Sequence, residues 1–183
     1  YYRTPRMANT GKLKDKVRIR DFKLNAILDL ATAINSNLSV DGLLRQYENI
    51  LREQLAIERL KLYAVNAGWQ CILKFGGRGV TQDFFQEDFV FRRGSGRDDV
   101  FDEQDIIIPI SQNEQPIAYL VVGDDHEDKI SVSPVIKHMR FIQTITNLLV
   151  VAIQNRNLQE ENLKQERVKR ELELAAEMQA MLL

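Results

Sequence analysis

This sequence has little cysteine, little proline and no long apolar run. The single cysteine, Cys71, cannot form a disulfide within the chain, and it indicates a reducing compartment such as the cytoplasm. No run approaches the roughly 18 apolar residues of a membrane helix, and the polar, basic start is no signal peptide. The last proline is Pro134 and no glycine follows it. Nothing therefore obliges a helix to stop between Pro134 and Leu183, and one long helix is predicted there.

Charge is plentiful but balanced, with 25 basic and 26 acidic residues. Such a chain has no overall field that would attract nucleic acid or acidic membranes. The basic stretch that begins at Arg3 is interrupted by Asp15 and Asp21, which is typical of a solvated helix start. We therefore expect neither a nucleic-acid partner nor a membrane partner.

Two helices are predicted before the first strand. Residues 1–14 have no regular pattern and indicate an arm or linker, whereas residues 15–37 form an amphipathic helix with an apolar seam suited to a partner helix. Asn37 and Ser39 supply a break and a cap. A second helix then extends to about Ala56. Its apolar face is wide enough to lie on a sheet.

From Leu60 the apolar period falls to two, which predicts strands. Leu60–Val65 and Trp69–Phe75 form a hairpin, and Asp105–Ser111 and Pro116–Gly123 form a second, more apolar pair. A short strand is also predicted at Asp88–Arg93. The order of helices, antiparallel strands and a final helix predicts an α+β fold whose sheet has helices on one face.

Three stretches together resemble a GAF domain, the small-molecule-sensing fold common in bacterial signalling proteins. They are NLSVDGLLRQYENILREQLAIERLKLYAV from Asn37, IIIPISQNEQPIAYLVVGD from Ile106, and the helix from Val135 that ends in AIQNRNLQEE. The resemblance implies a GAF domain over residues 38–157. It also implies a ligand pocket on the sheet face away from the helices, roofed by residues 76–105.

The end of the chain carries a second resemblance. ELELAAEMQAMLL, from Glu171 to Leu183, is similar to the linker helix that precedes the metal-dependent serine/threonine phosphatase domain of bacterial stress-response and sporulation regulators. The chain lacks an initiator Met and stops within a helical pattern, so we expect it to be a fragment of a longer protein. The resemblance implies an attached phosphatase as the effector, with residues 158–183 as a coiled-coil linker.

Candidate ligand-binding residues follow from the implied pocket: Trp69, Phe89, Phe91, Arg92 and Phe101. An apolar, aromatic lining suits a small-molecule site, but the same aromatics also suit core filling. Arg92, with the arginines at 93 and 97, could hold a phosphate or carboxylate, or could belong to a solvated loop. The signature of cyclic-nucleotide-binding relatives is absent. We therefore assign no cofactor, and any ligand is an unidentified small molecule.

Catalysis is not expected of this chain. Bilin attachment needs a suitably placed cysteine and methionine sulfoxide reduction needs two, whereas Cys71 stands alone in a strand. The acidic run Asp124–Asp128 has no calcium-loop spacing, so no metal site is assigned. His138 is interpreted as a surface or packing residue. No nucleophile–base pair or phosphate loop is recognisable.

The terminal helix carries more apolar surface than one sheet can cover, and the N-terminal helix has the same surplus. This predicts a parallel homodimer in which the first and last helices of two subunits pack as a bundle. Polar Glu161, Gln165 and Gln179 interrupt the seam of the last 26 residues or so, which weakens a coiled coil and restricts its register. The predicted interface residues are Leu24, Ile27, Ala31, Ile34, Phe141, Leu148, Val151, Leu158, Val168, Leu172 and Ala175.

These features favour a regulatory sensor and dimerisation module that passes a signal through its last helix to an effector. The alternative is a structural coiled-coil adaptor whose degenerate GAF core binds no ligand. A side-chain-filled pocket would favour the adaptor.

Overall fold

The computed structural model describes residues 7–66, 68–76, 105–123 and 133–183, with side chains from Thr10 onward. Helices and strands follow one another in the predicted order of two helices, two strand pairs and a terminal helical region. The elements are α1 (Met7–Asn35), α2 (Val40–Asn49), a π-helical turn (Ile50–Gln54), β1 (Leu60–Val65), β2 (Trp69–Phe75), β3 (Asp105–Gln112), β4 (Gln115–Gly123), α3 (Pro134–Lys137) and α4 (Met139–Leu182).

α1 begins earlier than expected. It is helical from Met7, so the arm predicted for residues 1–14 is wrong over residues 7–14. Gly11 lies within the helix with no heavy atom near enough to crowd an added Cβ. An exposed helical glycine costs only about 1 kcal/mol relative to alanine, which is not enough to end a helix that contains no proline.

The junction between α1 and α2 confirms the predicted break and cap. Asn37 takes a left-handed conformation with φ 57°, and the Ser39 hydroxyl accepts a hydrogen bond of 3.1 Å from the Gly42 amide. The second helix differs from the prediction, because α2 ends at Asn49 and continues as a π-helical turn in which the Leu55 amide donates to the Ile50 carbonyl. The wider turn keeps successive apolar residues facing the core. Buried side chains here are Leu43, Tyr47, Ile50, Leu51 and Leu55.

The four strands form one antiparallel sheet in the order β2-β1-β4-β3, in which the two predicted strand pairs meet through β1 and β4. Side chains alternate between the two faces of each strand. On β1 and β4, Leu62 and Leu120 enter the main core with the helices, whereas Tyr63 and Tyr119 form a separate cluster on the opposite face. Gly76 ends β2 with φ 66°, and a Cβ there would collide with the Glu58 carbonyl. The helices therefore cover one face of the sheet, as expected for this fold class.

The terminal helical region has a break that the sequence pattern did not predict. Ser133 caps α3 by accepting from the Ile136 amide, and Pro134 occupies the first turn. His138 then leaves the helical conformation at φ −110° and ψ 14°, and α4 starts at Met139. The single helix predicted from Pro134 is thus a short helix followed by a 44-residue helix. Neither a proline nor a glycine marks the break, so hydrophobic periodicity could not reveal it.

α1 and α4 run side by side in the same direction. The Phe22 ring meets the Phe141 ring edge-on with centroids 6.1 Å apart. Several turns later on both helices, the Arg156 side chain donates to the Ile34 carbonyl at 3.5 Å. Residue numbers increase from the first contact to the second on both helices, so the helices are parallel. The start of α1 therefore projects from one end of the domain and the end of α4 projects from the other. Sequence order alone gives no such direction.

Candidate signalling surfaces

The sheet face away from the helices, hereafter the far face, carries an aromatic cluster. Tyr63, Tyr119 and Val121 are buried there, and Trp69, Cys71 and Ile107 pack partly buried against them. The Trp69 and Tyr119 rings lie with centroids 5.0 Å apart and planes tilted by 39°. The described part of this face therefore combines aromatic rings with aliphatic side chains and one cysteine.

Charged groups border the far face. Burial lowers the pKa of Lys61 on β1, and the neighbouring Lys74 lowers the same pKa further. At the end of the sheet, Arg59 and Asp105 form a largely buried ion pair at 3.0 Å. Arg59 lies so close to Gly123 that any side chain at that position would collide with its guanidinium. This ion pair joins the start of β1 to the start of β3 and fixes the end of the sheet.

One predicted ligand residue can be placed. Trp69 lies on the far face, where the resemblance implied a pocket. Phe89, Phe91, Arg92 and Phe101 lie outside the described residues. The same is true of the other loop arginines, the strand predicted at 88–93 and the acidic run 124–128.

The predicted interface residues inside the domain are unequally exposed. On α1, Leu24 is 56 % exposed, whereas Ile27, Ala31 and Ile34 are partly buried. On α4, Leu148 and Val151 are partly buried and Phe141 is buried. Phe141 is covered by Phe22 of its own α1. Phe141, predicted as part of the surplus apolar surface available to a second subunit, is therefore buried within one chain, because α1 shields it.

Beyond Asn157, α4 has no neighbour among the described residues, and every residue from 158 to 183 is exposed. At 1.5 Å per residue this projection is roughly 39 Å long. Leu158, Val168, Leu172 and Ala175 of the predicted seam all lie on it. Sequence reasoning did not single out Leu13 on α1 or Leu163 on α4, which are also exposed. Leu13 lies four residues before Val17, a helical spacing that could have indicated it, whereas Leu163 has no apolar residue at such a spacing.

The domain half of α4 is fixed by a buried polar link as well as by apolar packing. The Tyr47 hydroxyl on α2 lies 2.7 Å from Thr146 Oγ1, and Thr146 donates in turn to the Ile142 carbonyl at 2.6 Å. The Tyr47 hydroxyl is therefore the donor to Thr146. Burial raises the Tyr47 pKa far above its ordinary value, so the hydroxyl stays protonated and keeps this bond.

In the described part of the chain, no three His, Cys, Asp or Glu side chains are placed so that they could hold a metal ion. Within the same ranges, no helix combines the length and apolarity needed to cross a membrane. Cys71, on the far face, donates to the Leu73 carbonyl at 3.5 Å.

Comparison with known proteins supports the fold. No family model and no curated protein matches the chain. Among solved structures, the chain is similar to the GAF domain of a protein described as a sensor histidine kinase from Pseudomonas syringae pv. tomato, with a TM-score of 0.55 and 13 % identity over 84 % of this chain and 99 % of that one. A methyl-accepting chemotaxis protein, residues 122 to 287, aligns with a TM-score of 0.48 and 17 % identity over 73 % of this chain and 99 % of that one. The first likeness establishes a GAF-like fold.

Proposed function

We propose that this chain is a regulatory sensor and dimerisation module that passes a signal through α4 to an attached effector. The observation that carries the proposal is the contrast within α4, whose first half is part of the core and whose second half is exposed on every side. Because the two halves form one continuous helix, a conformational change in the domain can move the projecting half of α4.

Dimerisation is supported by apolar side chains that no part of the described chain covers. Leu13, Val17 and Leu24 are exposed on α1, and Leu158 and Leu172 are exposed on α4. Rows of this kind indicate a partner, and a second copy supplies matching rows by symmetry. A parallel arrangement places both α4 projections side by side.

A signal can reach α4 through the sheet. Neighbouring residues on β4, Tyr119 and Leu120, face opposite sides, so a displacement on the far face also moves the side chains that pack against the helices. The polar seam residues Glu161 and Gln165 make the projecting coil marginal, and a marginal coil is readily biased between two arrangements. The far face is thus the input and the projection is the output.

A serine/threonine phosphatase is the proposed effector, supported by the resemblance of Glu171–Leu183 to the linker helix of such enzymes. The test is a fusion that places a metal-dependent phosphatase domain directly after Leu183. We expect L172D to change phosphatase turnover at least threefold, with L163D as the matched exposed control. Equal turnover in the unsubstituted fusion, L172D and L163D would contradict transmission through this helix.

The adaptor function is a second candidate, favoured by the contact between Trp69 and Tyr119, which fills part of the far face. Trp69 is the sole tryptophan and therefore reports on this face. A sensor should bind the apolar probe anilinonaphthalene sulfonate stoichiometrically, with energy transfer from Trp69. If energy transfer from Trp69 to the probe does not saturate at a temperature where the protein is folded, the adaptor function is favoured.

A further inference from the structure

A basic depression lies beside the break between α3 and α4, and we call it the helix-break pocket. Its volume is about 570 Å³, and its polar lining consists of Lys23, Lys137, His138, Arg140 and Gln143. Lys23, Lys137, Arg140 and Gln143 belong to helices and His138 lies at the break between two of them, so the pocket is distinct from the far face of the sheet. Nothing in the sensor proposal makes use of it.

The cations of this pocket come from three helices. Lys23 belongs to α1 and lies 5.7 Å above the Phe141 ring, a contact that holds its ammonium group near the rim. Lys137 ends α3 and Arg140 lies in the first turn of α4. No described acidic residue lines the pocket, and none of the three cations forms an ion pair with a described carboxylate. Like charges brought together in this way favour an anion between them.

His138 adds a neutral donor. Its Nδ1 atom is enclosed and has no hydrogen-bond partner. Protonating that nitrogen would bury a donor without an acceptor, so the proton of the neutral ring belongs on Nε2, the nitrogen that is not enclosed. Burial lowers the His138 pKa, and the charges of Lys23 and Lys137 lower it further. At neutral pH the ring therefore presents an N–H group without a charge.

We propose that the helix-break pocket binds a phosphoryl group, held by Lys23, Lys137 and Arg140 and oriented by His138 and Gln143. A tetrahedral dianion offers enough acceptor oxygens for several converging donors, whereas a carboxylate offers two oxygens in one plane. A pocket of 570 Å³ also has space beyond the phosphoryl group for the remainder of a small phosphate ester. The side chains that hold the anion come from α1 and from both sides of the helix break, so the bound anion would link these helices.

Two measurable consequences follow. An anion bound only to the folded protein raises its melting temperature, and the stabilisation grows with the logarithm of the anion concentration once the site is filled. A nearby dianion also favours the charged imidazolium, so binding raises the His138 pKa. The chain has only two histidines, His126 and His138, so H126Q and H138Q assign the ring signals unambiguously.

The test is a titration of the whole chain with inorganic phosphate at constant ionic strength, followed by NMR of the histidine rings and by thermal unfolding. We expect a saturable shift of the His138 signals, an increase in its pKa and a rise in melting temperature. Loss of one charge-assisted hydrogen bond corresponds to roughly a tenfold loss of affinity, so the double variant K137Q/R140Q should bind at least tenfold more weakly.

The matched control is K164Q/R167Q, which removes the same charge from the exposed half of α4. This variant should bind phosphate as tightly as the unsubstituted chain. A linear, unsaturable response, or equal weakening in both double variants, would show general attraction to a basic surface and would overturn the site. Both substituted pairs are exposed, so neither variant should fail to fold.

Further arms of the titration use acetate and glycerol phosphate. Acetate binding as tight as phosphate binding would overturn the assignment to a phosphoryl group. Tighter binding of glycerol phosphate supports the site with a phosphorylated small molecule as its ligand, and tighter binding of inorganic phosphate supports it with the free ion.

Discussion

The two halves of α4 belong to one helix but have opposite surroundings. Leu149, in the domain half, is completely buried, whereas Leu172, in the projecting half, is 66 % exposed. A leucine contributes to stability only when other atoms cover it, at about 25 cal/mol per Å² of apolar area removed from water. The first half therefore stabilises the domain, and the second half can stabilise only an assembly.

The largest expected effect separates these two roles directly. L149A removes a buried side chain and should lower the free energy of unfolding by about 2–5 kcal/mol, because a cavity forms in the core. L172A should change it by less than about 0.5 kcal/mol at protein concentrations where the chain is monomeric. Chemical denaturation measures both values. Equal losses would contradict the division of α4.

The next effect sharpens the account of the projecting half. L172D places a charge in the predicted seam and should weaken dimerisation at least tenfold, as measured by sedimentation. L163D is a matched control, because Leu163 is 60 % exposed on the same projection but lies outside the predicted seam. Equal weakening by both substitutions would show that the seam has been assigned to the wrong face.

A smaller effect concerns the polar link of the domain half. Y47F removes the hydroxyl that donates to Thr146 and should cost about 1 kcal/mol, because Thr146 keeps its bond to the Ile142 carbonyl. T146V should cost more, since it leaves the buried Tyr47 hydroxyl without an acceptor. T144V is the control: Thr144 is exposed and bonds only the Arg140 carbonyl. A larger loss of unfolding free energy in T144V than in T146V, measured by denaturation, would contradict this assignment.

The smallest effect is a pH dependence at the start of the domain half. The folded pKa of His138 is lowered, so the unfolded chain takes up a proton first as pH falls below about 6.5. Stability is thus complete above that pH and decreases as the pH falls towards the lowered pKa. H138Q should flatten the stability curve below about pH 6.5 compared with H126Q. Identical slopes in the two variants would contradict this contribution.

Much of the fold could be predicted from local patterns. β1 and β2 lie at the predicted residues because the change to a period of two at Leu60 and the break before Trp69 are both local signals. Asn37 and Ser39 likewise act through their own backbone and side chain.

The predictions failed where contacts between residues far apart in the chain, or small changes in helix geometry, determine the structure. Phe141 was predicted as an interface residue, and it is covered instead by Phe22 and Lys23, more than a hundred residues earlier. The helix break at His138 and the π-helical turn at Ile50 change the backbone without any proline or glycine. For the candidate sites, Trp69 was placed by resemblance, whereas the helix-break pocket brings Lys23 of α1 next to residues 137–143, more than a hundred positions later in the chain.

The central claim is that the projecting halves of two α4 helices pair in parallel through the predicted seam. Disulfide formation tests it most directly, because a disulfide requires Cα atoms about 4.4–6.8 Å apart. In a C71S background, which removes the only other thiol, L172C should form covalent dimers rapidly and L163C slowly. Equal rates at the two positions, or no covalent dimer from L172C, would contradict the parallel seam.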